Sequence, residues 1–214
     1  MSIVVGFDLD LTLVDSADGI AATFARATKG VGAIVDPDEL RPLIGLPLEE
    51  TMRRFVRPQA VDEAVRLYRE YFPSVGAPAT SLMPGAAEAV DAVRRRGGRA
   101  VIVSAKVESA VRAVLDHVKL EVDDVVGDRF GEGKGDALRE IGAQAHVGDH
   151  PNDMVGARSA GAFAIGVTTG GHDDVALREA GADVVLADLL DFRYWFDDHL
   201  AAAAATIARP RVGQ

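Results

Sequence analysis

The chain has 214 residues, of which 48% are hydrophobic and 26% charged, as in soluble globular proteins. Its net charge of −10 argues against a nucleic-acid binder, because phosphate backbones need a basic face. The sequence contains no cysteine, which excludes disulfides, thiolate metal sites and cysteine nucleophiles and fits a reducing compartment.

The first predicted strand, Ile3–Phe7, ends at the first residue of the stretch FDLDLTLVDS. In this stretch, Asp8 and Asp10 are separated by one residue. Like charges this close repel, and buried carboxylates are costly unless something compensates them. Either they face water in a loop, or a cation or a reaction needs them there. They also interrupt the apolar run, so we expect no signal peptide.

The next segment, from about Ser16 to Leu82, contains no convincing strand. Four helices are predicted in it: Ala17–Lys29, Asp36–Leu43, Leu48–Val56 and Gln59–Phe72, punctuated by Pro37, Pro47, Pro58, Pro73 and Pro78. We interpret the segment as a helical insertion that returns to the main fold near Met83.

The remainder alternates between apolar strands and amphipathic helices. The predicted strands are Arg99–Ser104, Asp124–Gly127, Gln144–Gly148, Ala162–Val167 and Ala182–Leu186; the predicted helices are Gly85–Arg96, Val107–His117, Gly135–Ile141, Asn152–Ala160 and Asp174–Ala180. Several strands are continuous apolar runs, as strands buried on both faces are. This alternation predicts an α/β fold with a doubly wound parallel sheet. No apolar stretch is long enough to span a bilayer, and Ala201 to Ala205 favour a helical tail over a membrane anchor.

Polar residues follow four of the predicted strands, and ligands bind beyond the carboxyl ends of the strands in such a sheet. These residues are Asp8 and Asp10, then Ser104 and Lys106, then Lys134 in the glycine-rich stretch Gly131–Gly135, and finally Asp149 and Asp153. Carboxylates suit a hard divalent cation, and a lysine and a hydroxyl suit an anion. We therefore expect the paired carboxylates to be stabilised by a metal and used on a phosphate.

Four stretches resemble the motifs of the haloacid dehalogenase superfamily: DLDLTLVDS, VIVSAK, the lysine in GEGKGD, and GDHPND, in the family's order. The resemblance extends to about Phe192 and looks closest to the phosphoglycolate phosphatase-like hydrolases with an α-helical cap. It implies a Rossmann-like core formed by residues 1–15 and 83–214, with residues 16–82 as the inserted α-helical cap domain.

The resemblance also implies catalytic roles. Asp8 is the expected nucleophile, which forms an aspartyl-phosphate. Asp10 is expected to protonate the leaving oxygen and then to activate water. Ser104 and Lys134 are expected to bind the phosphoryl group and to neutralise its charge. The implied cofactor is Mg²⁺.

The expected metal ligands are Asp8, Asp149 and the backbone carbonyl of Asp10, with Asp153 supporting the site. Asp149 could instead be the N-cap of the following helix, and Asp153 could be a first-turn carboxylate favoured by the helix dipole. Lys106 rivals Lys134, but a solvated lysine at a helix start is the favoured interpretation.

Two residues of the helical insertion are candidates for substrate binding. Gly45 resembles a loop residue that faces the active site, although a simple turn glycine is an equal alternative. Arg53 could meet a substrate carboxylate, although most arginines of the insertion should be surface residues. His150 and His172 are expected to be surface or loop residues rather than metal ligands.

This chain departs from the family pattern at three places. Leu11 stands where many members have glycine, Ala105 stands where asparagine is common, and no proline follows Lys134. None of these changes removes a reacting group. The acid at Asp10 argues against the dehalogenase branch, whose members usually lack one there.

The predicted function is a Mg²⁺-dependent phosphatase that hydrolyses a small-molecule phosphomonoester, such as a phosphoglycolate-like compound or a sugar or nucleotide phosphate. A phosphomutase of the same superfamily and a non-catalytic metabolite-binding protein remain as alternatives. We expect a cytoplasmic protein without nucleic-acid or membrane partners, as a monomer or a homodimer.

Overall fold

The fold was obtained as a computed structural model that describes residues 3–200; the predicted alanine tail lies outside these residues. The strands are β1 (Val4–Phe7), β2 (Val14–Asp15), β3 (Ser81–Leu82), β4 (Arg99–Val103), β5 (Asp124–Val126), β6 (Ala145–Gly148), β7 (Phe163–Val167) and β8 (Val184–Leu186). Six of them form one parallel sheet in the order β5-β4-β1-β6-β7-β8. This sheet, with helices following its strands, confirms the predicted α/β doubly wound fold.

The helices are α1 (Ala17–Gly30), α2 (Pro37–Leu40), α3 (Leu48–Phe55), α4 (Val61–Val75), α5 (Ala86–Arg95), α6 (Glu108–Val118), α7 (Glu132–Glu140), α8 (Pro151–Ala160), α9 (Asp174–Glu179) and α10 (Phe192–Trp195). Short 3₁₀ turns at Arg41–Leu43 and Pro58–Ala60 connect α2 to α3 and α3 to α4, and a third turn at Ala77–Ala79 lies between α4 and β3. Within residues 3–200, no helix combines the length and apolar character needed to cross a membrane.

The central strands are buried because their residues are apolar on both faces of the sheet. All four residues of β1 are buried, and the side chains of Phe7, Ile102 and Ile165 are fully enclosed. The ring of Phe192 in α10 packs 5.5 Å from that of Phe7, edge to face. The middle of the sheet is therefore a rigid base from which the strand ends present their polar residues.

The helical segment leaves the sheet and returns to it at neighbouring points. Strands β2 and β3 pair antiparallel, with Val14 opposite Leu82 and Asp15 opposite Ser81, and the amide of Met83 donates to the carbonyl of Leu13 at 2.9 Å. Every residue between 16 and 80 is described, and none belongs to a strand. The two chain crossings are therefore held side by side by this short ladder.

Helix α4 contradicts the prediction of a helix that ends at Phe72 before Pro73, because the helix continues through this proline to Val75. A proline inside a helix removes one backbone hydrogen bond. The helix nonetheless buries Leu67, Tyr68 and Phe72, and the amide of Gly76 donates to the carbonyl of Phe72 at 2.9 Å. Tertiary packing of these side chains therefore outweighs the local cost.

Helix α7 begins at Glu132, three residues before its predicted start at Gly135. Gly131 has φ of 53° and precedes the helix, and the amide of Lys134 donates to the carbonyl of Gly131 at 3.1 Å. Lys134 therefore lies in the first turn of a helix and not in an open glycine-rich loop.

Candidate active site

Strand β1 delivers Asp8 and Asp10 to the carboxyl edge of the sheet. The amide of Asp8 donates to the carbonyl of Val147 at 2.8 Å, and the two carboxylates are only 5% and 9% exposed. Between them and β2 the chain turns sharply at Leu11, whose φ is 58°. This left-handed conformation favours glycine, so a leucine at this position carries a local backbone cost.

The carboxylates of Asp8, Asp149 and Asp153 form a buried cluster. One ligand oxygen from each lies within 4.8 Å of the others, a group that could hold a metal ion. The hydroxyl of Thr12 donates to Oδ1 of Asp149 at 2.8 Å. Gly170, in the turn after β7, packs so closely on Asp149 that an added Cβ would lie 1.9 Å from its Oδ2.

Within this cluster, the oxygens of Asp153 already have several donors. Its Oδ1 accepts from Nζ of Lys134 and lies 3.0 Å from Nε2 of the fully buried His146, and its Oδ2 accepts from the amide of His150 at 3.1 Å. Burial alone would raise the pKa of Asp153, but Lys134 and His146 hold this pKa well below its usual range. Asp153 is therefore ionised and holds Lys134, His146 and the amide of His150 in place.

Lys134 joins Asp153 to Asp8, with its Nζ 2.9 Å from Oδ1 of Asp8. Burial opposes the charge of Lys134, but the two carboxylates raise the pKa of the ammonium above its ordinary value. Burial raises the pKa of Asp8 to about 7 against the lowering effect of Lys134, and the charges of Asp153 and Asp10 contribute to the increase. Burial likewise raises the pKa of Asp149, to which the charge of Asp8 adds.

Asp10 has a different set of partners. The hydroxyl of Ser16 donates to its Oδ1 at 2.7 Å, and Nζ of Lys106 lies 3.3 Å from its Oδ2. The Lys106 side chain is 9% exposed, and its ammonium lies 4.2 Å from the ring centroid of Phe72. The interpretation of Lys106 as a solvated lysine is therefore wrong, because an ion pair and a cation–π contact hold it in the interior.

Ser104 lies at the end of β4, is buried, and accepts a hydrogen bond at its Oγ from the amide of Lys106 at 3.2 Å. The N-cap of α8 is His150, which receives the amide of Asn152 at Nδ1, so the alternative that Asp149 caps this helix is wrong. Burial lowers the pKa of His150 to about 4, in keeping with a neutral, accepting ring. His172 packs edge to face on His150, with the ring centroids 4.5 Å apart.

A cavity of about 320 Å³ lies beside Asp10, between the helical segment and the residues that follow β4. Gly45 and Lys106 also line it. Gly45 has φ of 99°, and an added Cβ would lie 3.3 Å from Cδ2 of His150, so this glycine does face the polar edge of the sheet. Arg53 does not line the cavity; its exposed side chain pairs with Glu49 on the surface of α3.

The predicted site residues Asp8, Asp149, Asp153 and Lys134 are thus brought together, whereas Arg53 is not. Sequence reasoning missed three residues that support them: Thr12, His146 and Gly170. Thr12 belongs to the stretch DLDLT, and its position two residues after Asp10 could have indicated that its hydroxyl lies near the carboxylates. His146 sits in an apolar strand and Gly170 in a loop, and neither carries a local pattern that predicts its contact.

Comparison with known proteins adds to this geometry. A family model described as haloacid dehalogenase-like hydrolase matches residues 5–167. Tyrosine-protein kinase PtkA of Mycobacterium tuberculosis is 31% identical over 169 residues; this chain spans only 58% of that relative, and the match covers 72% of this chain. Probable phosphatase IndB of Dickeya dadantii is 32% identical over 206 residues, which cover 87% of this chain and 90% of that relative.

The fold is also found among solved structures. A predicted phosphatase from Clostridium acetobutylicum superimposes with a TM-score of 0.81 over 92% of this chain and 99% of that one. Its sequence identity is 23%, so this match supports the fold alone.

Proposed function

Because this chain belongs to the haloacid dehalogenase-like hydrolase family, we propose that it is a Mg²⁺-dependent phosphatase that hydrolyses a small-molecule phosphomonoester through an aspartyl-phosphate. One observation carries this proposal: a lysine ammonium lies 2.9 Å from a buried carboxylate within a cluster of three acids. A charge arrangement of this kind suits phosphoryl transfer, in which positioning and neutralisation of charge dominate.

The donor set fits Mg²⁺, which prefers oxygen ligands. Asp8 and Asp149 are buried carboxylates with raised pKa values, so their ionised forms lack compensation that a divalent cation would supply. We propose these two side chains and the backbone carbonyl of Asp10 as the ligands. Asp153 then supports the site by positioning Lys134. When bound, Mg²⁺ would neutralise charge on the phosphoryl oxygens and on Asp8.

In the proposed reaction, a carboxylate oxygen of Asp8 attacks phosphorus while Lys134 and Ser104 hold phosphoryl oxygens. The bond from phosphorus to the leaving oxygen breaks, and that oxygen takes a proton from Asp10. Asp10 then takes a proton from the water that attacks the phosphoenzyme, which releases inorganic phosphate and restores Asp8. Asp10 must be protonated for the first transfer and ionised for the second. The hydrogen bond from Ser16 supports its orientation, and the ion pair with Lys106 holds the ionised form that takes the proton from water.

Rapid-quench labelling with a phosphate donor tests the two carboxylates separately. Asp8→Asn should abolish the labelled phosphoenzyme, because it removes the nucleophile. Asp10→Asn keeps the backbone carbonyl proposed as a ligand, and turnover of an alkyl phosphate should fall by about 10²–10⁴-fold, the usual contribution of general acid–base catalysis. Labelled Asp8→Asn protein, or an Asp10→Asn enzyme as fast as wild type on an alkyl phosphate, would overturn the assignment.

Release of inorganic phosphate also separates the alternatives. A phosphomutase would return the phosphoryl group to the product, and a non-catalytic binding protein would release none. The relatives named as tyrosine-protein kinases add a third alternative, which is phosphoryl transfer to a tyrosine. Incubation with γ-labelled ATP followed by tyrosine phosphoamino-acid analysis tests this activity, and we expect no labelled tyrosine.

We further propose that residues 16–82 act as a cap domain over the core of residues 1–15 and 83–214. The side-by-side chain crossings at β2 and β3 support a hinge at these points. Hydrogen exchange should show added protection within residues 16–82 when beryllium fluoride and Mg²⁺ occupy the site. Protection confined to the core would contradict a cap that closes over it.

We also propose a cytoplasmic location, which suits a chain without cysteine. The assembly is proposed to be a monomer or a homodimer. Light scattering during size-exclusion chromatography tests the assembly, and a trimer or larger species would contradict it.

A further inference from the structure

The cavity of about 320 Å³ has a definite position relative to the proposed chemistry. Asp10 lines it, whereas Asp8, Lys134 and Asp149 do not. Since Asp10 is the group proposed to protonate the leaving oxygen, the cavity lies on the side of the leaving group. The phosphoryl group would occupy the carboxylate cluster next to it.

The inner lining of this cavity is mainly apolar and aromatic. Phe24, Leu40, Ile44 and Phe72 line it and are each less than 9% exposed. The ring of Phe24 packs edge to face on that of Tyr68, which stacks on Phe72 with the ring centroids 5.7 Å apart. A leaving group inside the cavity would therefore meet aromatic faces and branched aliphatic side chains.

The charged groups in the lining are either neutralised or exposed. Asp10 and Lys106 pair with each other at the inner end. Glu49, Arg69 and Asp128 line the cavity but are exposed, which places them toward its open side. Among the aromatic residues that line the cavity, Phe24, Tyr68 and Phe72, only Tyr68 carries a hydroxyl. A polyol packed against Phe24, Leu40, Ile44 and Phe72 would find no hydrogen-bond partner on those side chains, which is costly.

The size of the cavity sets the scale of the occupant. Its volume of about 320 Å³ corresponds to that of about ten water molecules in the liquid. Glycolate, with its few non-hydrogen atoms, would leave most of that space unfilled. A ring with a short alkyl arm would fill it and remove the apolar lining from water.

We propose that the preferred leaving group is a largely apolar alcohol with an aromatic or alicyclic ring, of roughly ten non-hydrogen atoms. This inference rests on the proposed phosphatase function. Tyr68 would offer its hydroxyl to a single polar substituent of that ring. The substrate class is thus an amphipathic phosphomonoester, with its charge at the carboxylate cluster and its ring beneath the helical segment.

Two primary alkyl phosphates with similar leaving-group chemistry test the proposal: 3-phenylpropyl phosphate and propyl phosphate, with phosphoglycolate as a third substrate. Burial of a phenyl ring is favourable enough to raise kcat/KM by about 10–100-fold. We expect 3-phenylpropyl phosphate to exceed both of the others by this factor in the wild-type enzyme with Mg²⁺. Equal values, or a preference for phosphoglycolate, would overturn the inference.

A pair of variants locates the preference in the cavity. Leu46 is half-buried and lines the cavity, whereas Leu190 is 54% exposed and does not. Leu46→Asn should lower the ratio of the two kcat/KM values by at least about fivefold, while Leu190→Asn should keep it. Leu43→Asn, at another half-buried lining position, serves as the second cavity variant. An unchanged ratio in both cavity variants would overturn the inference.

The outcomes also separate this inference from the function on which it rests. Hydrolysis of all three esters without the expected preference overturns the inference alone. If the enzyme hydrolyses none of the three esters and does not hydrolyse p-nitrophenyl phosphate either, the proposed phosphatase function is overturned.

Discussion

Replacement of Gly170 by alanine should disturb the proposed metal site without altering any ligand. An added Cβ would lie 1.9 Å from Oδ2 and 2.7 Å from Cγ of Asp149, whereas real Cβ contacts below 3.0 Å essentially never occur. The carboxylate or the turn must therefore move by roughly 1 Å. Gly170 does not have a positive φ, so its backbone conformation is open to alanine and the clash is the whole effect.

The expected loss of activity can be estimated from the contacts that hold Asp149 in place. A carboxylate that moves this far loses the 2.8 Å hydrogen bond from Thr12, and a buried bond to a charged group contributes about 1.5–3 kcal/mol. A misplacement of about 1 Å near reacting groups can cost on the order of 10²-fold in rate. We expect kcat/KM to fall by about this factor, and the Mg²⁺ concentration for half-maximal activity to rise at least about tenfold.

The neighbouring glycine supplies the matched control. An added Cβ at Gly171 would meet no atom within 4 Å, so Gly171→Ala makes the same chemical change in the same turn without the clash. Activity should be titrated with Mg²⁺ for both variants, together with the thermal midpoint of the metal-free proteins. If Gly170→Ala matches Gly171→Ala in Mg²⁺ requirement and kcat/KM, the close approach to Asp149 does not position the metal site.

Burial raises the pKa of Asp8 to about 7 and raises that of Asp149 as well. Below about pH 7, Mg²⁺ must displace the proton that Asp8 binds, so titration calorimetry should show its affinity increasing by about tenfold or more from pH 6 to pH 8. A pH-independent affinity would contradict the assignment of Asp8 as a ligand. Lys119 is exposed and follows the last residue of α6 with φ of 58°, a left-handed conformation that glycine adopts without strain. Lys119→Gly should therefore raise the free energy of unfolding, measured by urea titration, by about 0.5–1 kcal/mol. A loss of stability would show that this conformation carries no strain. His146→Leu removes a fully buried partner of Asp153. Urea titrations should show that the free energy of unfolding falls by about 1–3 kcal/mol. A free energy of unfolding equal to that of the wild type would refute a stabilising role for this contact.

Much of the fold could be predicted because the central strands are short apolar runs that can be recognised in the sequence. Strands such as Arg99–Val103 and Phe163–Val167 are apolar on both faces, and their predicted bounds differ from the observed ones by one residue. The two-residue strands at Val14 and Ser81 could not be predicted, since a pair this short has no periodicity. Pro73 misled the prediction of α4 because a local rule gave way to the packing of buried side chains.

The candidate site was predictable to the extent that it depends on strand ends. Asp8, Asp149 and Lys134 are near each other because parallel strands deliver their carboxyl ends to one edge, and the sequence places each of these residues in a segment that follows a predicted strand. Their catalytic and metal-binding roles stay predictions. The burial of each acid, and therefore the direction of its pKa shift, required the assembled structure.

The sequence by itself determined the strands of the main sheet, their order and the polar residues that follow them, because these follow from patterns among neighbouring residues. Only the tertiary structure decided which charges from distant segments meet. Lys106 meets Asp10 and Phe72 in the interior, and no local pattern encodes that pairing because it depends on segments that are distant in the chain and on the burial that they create. The pair of Arg53 and Glu49 has a local basis in its spacing of four residues on one helix, and the fold decided only that Arg53 lies outside the cavity lining.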